Sequence, residues 1–210
     1  MKEQFAREVT TGNILLAFQS TPSGWEPPVL VTAPLLLKVE AGGEIFLPCF
    51  VSRLGDCVPT WQHIGRVLSV GQVLVRKSGR LRVTSYFGLV ISDVLPSDAG
   101  TYLCQVDYHG YVQEVQHRLD VLVPPIVKKQ PNAAVLEILE GELLTIRCAA
   151  SGNPNPIITW WKQDSAMQLG QGLSLQMSMT RNMDGVFVCS AENGVGQPSN
   201  KTFDVRVLCE

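Results

Sequence analysis

Six cysteines (Cys49, Cys57, Cys104, Cys148, Cys189 and Cys209) and three histidines (His63, His109 and His117) are the side chains best suited to thiol or metal chemistry. Zinc is held by closely spaced thiolate pairs, and a catalytic zinc takes three protein ligands such as histidines, plus an open position. No CxxC pair occurs here. The histidines meet only if strands bring them onto one sheet, and no general base stands out beside them. No glycine-rich phosphate loop and no nucleophile motif appears. The residues argue against an enzyme, a cofactor and a small-molecule substrate. Cysteines of this kind read instead as disulfides formed in an oxidising compartment.

The elements that must position these cysteines are strands. Of the 210 residues, 45% are hydrophobic and 17% charged, enough for a packed core. Net charge is −2, which argues against a nucleic-acid binder. Strand-favouring runs alternate with Gly, Pro, Asn and Ser breaks, and no long stretch has helical periodicity, so the class is all-β. The stretch MKEQFAREVTTGNILLAFQS carries only a short apolar core, Ile14–Phe18, less than a signal peptide needs. Residues 1–28 are expected to be a disordered extension or an incorrectly defined signal region. The chain stops at VLCE with no membrane or lipid-anchor tail, so it reads as a fragment.

One pattern occurs twice. EIFLPCF places Ile45, Leu47 and Cys49 on one face of a strand, Trp61 follows twelve residues later, and Tyr102-x-Cys104 ends the set. LLTIRCAA places Leu144, Ile146 and Cys148 on one face, Trp160 again follows twelve residues later, and Phe187-x-Cys189 closes the copy. The repeat is about ninety residues long. Pro124-Pro125 in VLVPPIV cannot donate backbone hydrogen bonds and reads as a short semi-rigid linker. The boundaries are then 29–123 for the first domain and 124–208 for the second.

The pattern Cys, Trp, aromatic-x-Cys, with the corner Asp98-x-Gly100-x-Tyr102-x-Cys104, resembles the immunoglobulin fold. The resemblance implies two tandem β-sandwiches, V-like followed by a compact I-set or C2-like domain. It implies disulfides Cys49–Cys104 and Cys148–Cys189 across the two cores, with Trp61 and Trp160 packed on them. Each closed loop stabilises its domain by roughly 3–4 kcal/mol. In the first domain the expected strands are B 44–50, C 58–63, C′ 66–70, C″ 73–76, D 80–84, E 87–92, F 100–107 and G 112–122. Arg80 or Arg82 is expected to pair with Asp98. The second domain has Phe187 where the corner tyrosine stands and Asp184 one place late, so its corner is expected to be looser. Cys57 and Cys209 lie at opposite ends of the tandem, more than about 50 Å apart on strand dimensions, and should not pair.

The stretches LPCFV, RVLSVGQVLVR, LPSDAGTYLCQV, VPP, SGNPNP and AENGVGQPSN resemble insect neural cell-surface proteins of the lachesin, amalgam and klingon type. That resemblance implies an extracellular or cell-surface protein acting in adhesion and neuronal recognition, with further domains beyond this chain. Its partner would be another immunoglobulin-superfamily surface protein, homophilic or heterophilic. A signalling-receptor ectodomain or a secreted decoy is the alternative. Such sandwiches present an exposed sheet, here C-C′-F-G. Gln62, His63, Leu68 and Val70 are candidates on C and C′. Tyr108, His109 and Tyr111 are candidates at the F–G turn, where the tyrosines either meet a partner or cover their own sheet. Trp161, next to the core-facing Trp160, faces outward and is expected to be shielded. Asn200-Lys201-Thr202 is a glycosylation sequon. Arg53, Arg66, Arg76, Lys77, Arg80 and Arg82 form a basic stretch, read first as a solvated edge, with weak heparan sulfate contact as the alternative.

Overall fold

The computed structural model describes residues 26–165 and 168–209. Residues 1–25, on which most of the expected N-terminal extension falls, lie outside the described residues. In the first domain the strands are β1 (Val29–Leu30), β2 (Leu36–Glu40), β3 (Ile45–Leu47), β4 (Val51–Ser52), β5 (Thr60–His63), β6 (Arg66–Val70), β7 (Val73–Leu74), β8 (Leu81–Val83), β9 (Leu89–Ile91), β10 (Gly100–Tyr108) and β11 (Tyr111–Gln130). Strand β11 runs on into the second domain. There it is followed by β12 (Val135–Leu139), β13 (Leu143–Asn153), β14 (Ile157–Lys162), β15 (Gln168–Gln171), β16 (Ser174–Ser178), β17 (Gly185–Glu192) and β18 (Ser199–Leu208).

Each domain is built on a pair of sheets, and the first adds a two-stranded ribbon of β1 and β4. The first packs β7-β6-β5-β10-β11-β2 against β3-β9-β8. The second packs β11-β13-β16 against β12-β18-β17-β14-β15. Strands β5, β6, β10 and β11 are therefore the C, C′, F and G strands of the expected face.

Alternation decides what goes inside. Tyr102, Cys104 and Val106 on β10 are buried, while Thr101 and Asp107 are exposed. The disulfide Cys49–Cys104 joins the two sheets with a Cα–Cα distance of 6.2 Å, and Cys148–Cys189 does so in the second domain at 6.7 Å. Trp61 and Trp160 are fully buried. Each indole N–H has a backbone acceptor: Trp61 Nε1 donates to Phe87 O at 2.6 Å and Trp160 Nε1 to Gly172 O at 2.9 Å. Replacing either with Ala would cost about 3–5 kcal/mol, as much as losing the disulfide beside it.

The corner before β10 is tied three ways. Arg80 Nη1 and Nη2 donate to Asp98 Oδ2 and Oδ1 at 2.6 and 3.1 Å, so Arg80 is the partner and Arg82 instead meets Glu44. Leu95 N–H donates to Asp98 Oδ2 at 2.8 Å, and the Tyr102 hydroxyl donates to Asp98 O at 2.8 Å. Gly100 has φ +134°, and a Cβ there would sit 3.0 Å from His63 Cε1, so glycine is required. Gly185 repeats this with φ +130°, two residues before Phe187. Phe187 has no hydroxyl, but the corner is not simply loose. Arg181 Nη2 donates to Glu140 Oε2 at 2.8 Å, tying the corner to the turn before β13.

The expected linker is not a separate segment. Pro124 and Pro125 lie inside β11, where the pairing with β13 shifts between Val123 and Ile126. Without N–H groups the prolines cannot continue the ladder, yet the chain stays extended through them. Two asparagines hold the junction. Asn153 Nδ2 donates to Asp120 Oδ1 and to Val121 O, both at 2.8 Å. Asn193 Nδ2 donates to Val123 O and to Pro154 O, both at 2.8 Å. Gly152 allows this approach, since a Cβ on it would lie 2.8 Å from Asn193 Nδ2 and 3.0 Å from Val123 O.

Two outcomes follow. Burial pushes the Asp98 carboxyl pKa up, but the hydrogen bonds from Arg80 and Leu95 and the Arg80 charge outweigh it, so the pKa is lowered. The stability it contributes is complete above its unfolded value of about 4 and is lost as pH falls through the lower folded value. Asp98→Asn should cost about 1–2 kcal/mol at neutral pH, discounted for the partial exposure of Arg80. It should also flatten the acid side of the first domain's melting profile; an unchanged profile in calorimetry contradicts the tie. Replacing Asn153 and Asn193 together with Ala should let the domains tumble separately in NMR relaxation while both cores still melt cooperatively. Unchanged joint tumbling contradicts the clamp.

Candidate partner-binding face

The outward side of the C-C′-F-G sheet is built in rows across paired strands. One row runs Val67, Gln62, Leu103, Gln116. The next runs Val73, Val70, Thr60, Gln105, Glu114. Val67, Val70 and Val73 are 45%, 48% and 73% exposed. Gln62 Nε2 donates to Gln105 Oε1 at 3.1 Å, which ties the two amides together in the sheet's centre. The charged side chains Glu114, Arg118 and Asp107 stand toward the G strand and the F–G end. The face is thus an apolar stripe on C′ and C″ grading into amides on C, F and G.

The structure divides the sequence candidates. Gln62 and Val70 are on the outward face. Leu68 is not: the register shifts between Trp61 and Gln62, leaving Leu68 as the extra residue on β6, and it packs against the core. His63 is not either. It pairs with Tyr102 on the inward side, with its ring stacked on Tyr102 at 4.1 Å and Nδ1 3.1 Å from Thr101 O. Tyr108 and Tyr111 pair across a tight turn made by His109 (φ +49°) and Gly110 (φ +84°). They follow the inward parity of Cys104 and Val106, so they crown the end of the sandwich. Tyr111 is 64% exposed there, and Tyr108 packs edge-on against His109 at 4.5 Å.

Four outward residues were not anticipated: Val67, Val73, Leu103 and Val112. Strict alternation along RVLSV puts Leu68 with Val70. Only the bulge turns Val67 out, and a one-residue bulge leaves no mark in this stretch of sequence.

The histidines do not gather. His117 is fully buried, with Nε2 2.8 Å from Pro48 O, and Tyr102 stands between it and His63 in the same row. Burial pushes the His117 pKa down against the opposing effect of the Pro48 hydrogen bond. Burial thus favours the neutral ring, and because the Pro48 carbonyl can only accept, Nε2 carries the proton of that hydrogen bond. His109 is at the F–G tip. Among the described residues no group of three His, Cys, Asp or Glu side chains is placed to hold a metal.

Cys57 is half-buried and Cys209 exposed, and both are free thiols. Of the six basic residues, Arg53 pairs with Glu26, Arg80 with Asp98 and Arg82 with Glu44. Arg66, Arg76 and Lys77 make no ion pair among the described residues, so half of the anticipated cationic stretch is already neutralised. Trp161 is half-buried on the outward side of the second domain, where its Nε1 donates to Thr159 Oγ1 at 3.1 Å. Asn200 is exposed on β18.

Two sandwiches, each pinned by a cross-sheet disulfide with a tryptophan against it, define a tandem of immunoglobulin-like domains. Residues 124–193 match the family model of the immunoglobulin domain. The chain is 31% identical to hemicentin-2 of Mus musculus over 81% of this chain and 3% of that protein. It is 32% identical to neogenin of Mus musculus over 80% and 11%, and 34% identical to lachesin of Drosophila melanogaster over 67% and 42%. The chain thus spans less than half the length of each of these relatives. Among solved structures it is similar to the first two domains of DIP-gamma, with TM-score 0.76 and 28% identity over 87% of this chain and 98% of that one. It is also similar to a structure of Dpr11 IG1 bound to DIP-gamma, with TM-score 0.77 and 29% identity over 87% and 99%. No helix among the described residues is long and apolar enough to cross a membrane.

Proposed function

We propose that this chain is a non-enzymatic, extracellular recognition module of a cell-adhesion protein. It binds another immunoglobulin-superfamily surface protein, either a second copy or a different chain, through the outward C-C′-F-G face of its first domain. The observation that carries the reading is the cluster of exposed valines, Val67, Val70 and Val73, on the C′ and C″ side of the face, beside the hydrogen-bonded amides of Gln62 and Gln105. Exposed apolar side chains beside hydrogen-bonding groups are what a protein interface uses, and contiguous exposed apolar surface on a β-sheet is otherwise a liability. The likeness to DIP-gamma, solved bound to Dpr11 IG1, supports a partner of the same fold. The likeness to lachesin supports an adhesion role. The remaining free cations, Arg66, Arg76 and Lys77, make any heparan sulfate contact weak and secondary.

The test is to secrete the chain with an added leader and Cys57→Ser, then measure self-association by sedimentation velocity and binding to a panel of cell-surface immunoglobulin proteins. Val67→Asp and Val70→Asp should each weaken whichever association is found by at least about tenfold, the effect of losing one well-buried apolar contact, with no change in melting temperature. Tyr108→Ala and Tyr111→Ala should have smaller effects. Binding that survives both aspartates contradicts the assignment of the face.

A further inference from the structure

The outward side of the second domain's larger sheet carries a separate arrangement. Asn200 pairs with Ser190, which pairs with Thr159 on the next strand. Thr202 pairs with Val188, which pairs with Trp161. All six side chains share one face. Trp161 donates its indole N–H to Thr159 Oγ1, so the ring leans along β14 toward the Asn200 row. Between Asn200 and Thr159 stands only the small side chain of Ser190. The gap is two strand spacings, about 10 Å. Asn200 is exposed, and its side-chain amide makes no hydrogen bond among the described residues. Trp61 and Trp160 are fully buried, whereas Trp161 keeps part of its ring in solvent on this side.

We infer that Asn200 carries an N-linked glycan whose first sugars cross Ser190 and lie on the indole of Trp161. The sequon Asn200-Lys201-Thr202 supplies the acceptor. In the attachment step the Asn200 amide nitrogen bonds to the anomeric carbon of a lipid-diphosphate-linked oligosaccharide. The bond from that carbon to the diphosphate oxygen breaks, and the lipid diphosphate leaves with the amide proton. The acetamido sugar then offers its apolar C–H face to the aromatic ring and its hydroxyls to solvent, the same division of labour an amphipathic aromatic makes at an interface. Sugar on this face closes the second domain's C-F-G sheet to sheet-on-sheet contact and leaves the first domain's sheet as the open one. The inference rests on the extracellular reading only because attachment occurs in the secretory pathway.

The experiment secretes the full chain, with an added leader and Trp25→Phe, from a host that attaches N-glycans. Peptide mass spectrometry is expected to find glycan on Asn200, lost in Asn200→Gln and in Thr202→Ala. Enzymatic removal of the glycan from the folded protein is expected to raise acrylamide quenching of Trp161 fluorescence to the level of Asn200→Gln, with the fold intact by circular dichroism. In a Trp161→Ala variant, glycan removal should leave the residual quenching unchanged. A secreted chain with Asn200 unoccupied overturns the site. Occupancy with no change in quenching overturns the packing on Trp161. Partner binding by the first domain is read separately and does not enter either outcome.

Discussion

Trp61, Cys104 and Val115 stand abreast on three paired strands, all buried, and that row sets the register of the whole first sheet. Side chains alternate across a sheet, so a slip of one residue would turn every inward group outward. The disulfide to Cys49 and the tryptophan packed beside it make such a slip cost several kcal/mol. The half-exposed ion pair at the corner is worth less, but it fixes where β10 begins. Once the row is set, Gln62, Leu103 and Gln116 have no choice but the outward side. The binding face is the complement of the core.

Strand β11 carries that register across the domain boundary. Its first half pairs with β10 and β2, and its second half pairs with β13, where Lys129 lies opposite Cys148. A single continuous strand, with Asn153 and Asn193 bonded to its backbone at the bulge, holds the first domain at a set angle to the second. A face presented at the end of a rigid pair loses less freedom on docking than one on a hinged pair.

Much of this was legible in the sequence because it rests on residue types that have few other uses. Paired cysteines, tryptophans at equal spacing, and the run Asp98, Gly100, Tyr102 give the fold, the strand order and the corner, while the choice between Arg80 and Arg82 as the partner of Asp98 is made only by the structure. The face was read less well. Leu68 alternates correctly with Val70, and only a bulge in the pairing turns it inward, an event between strands that no local residue announces. The sequence leaves Tyr108 and Tyr111 between meeting a partner and covering their own sheet, and their parity places them at the end of the sandwich. The asparagine clamp was invisible because asparagine beside glycine and proline reads simply as a turn. Glu140 and Arg181, forty-one positions apart, replace the tyrosine tie in the second domain by a contact no spacing rule anticipates.

The most direct test of the account is hydrogen–deuterium exchange on the chain alone and saturated with the immunoglobulin-domain partner, or second copy, that it binds. The account predicts new protection confined to 60–70, 73–74, 101–107 and 112–118, the four central strands and the C″ edge of the first sheet. Protection centred instead on 143–151 and 174–178, the smaller sheet of the second domain, would contradict it.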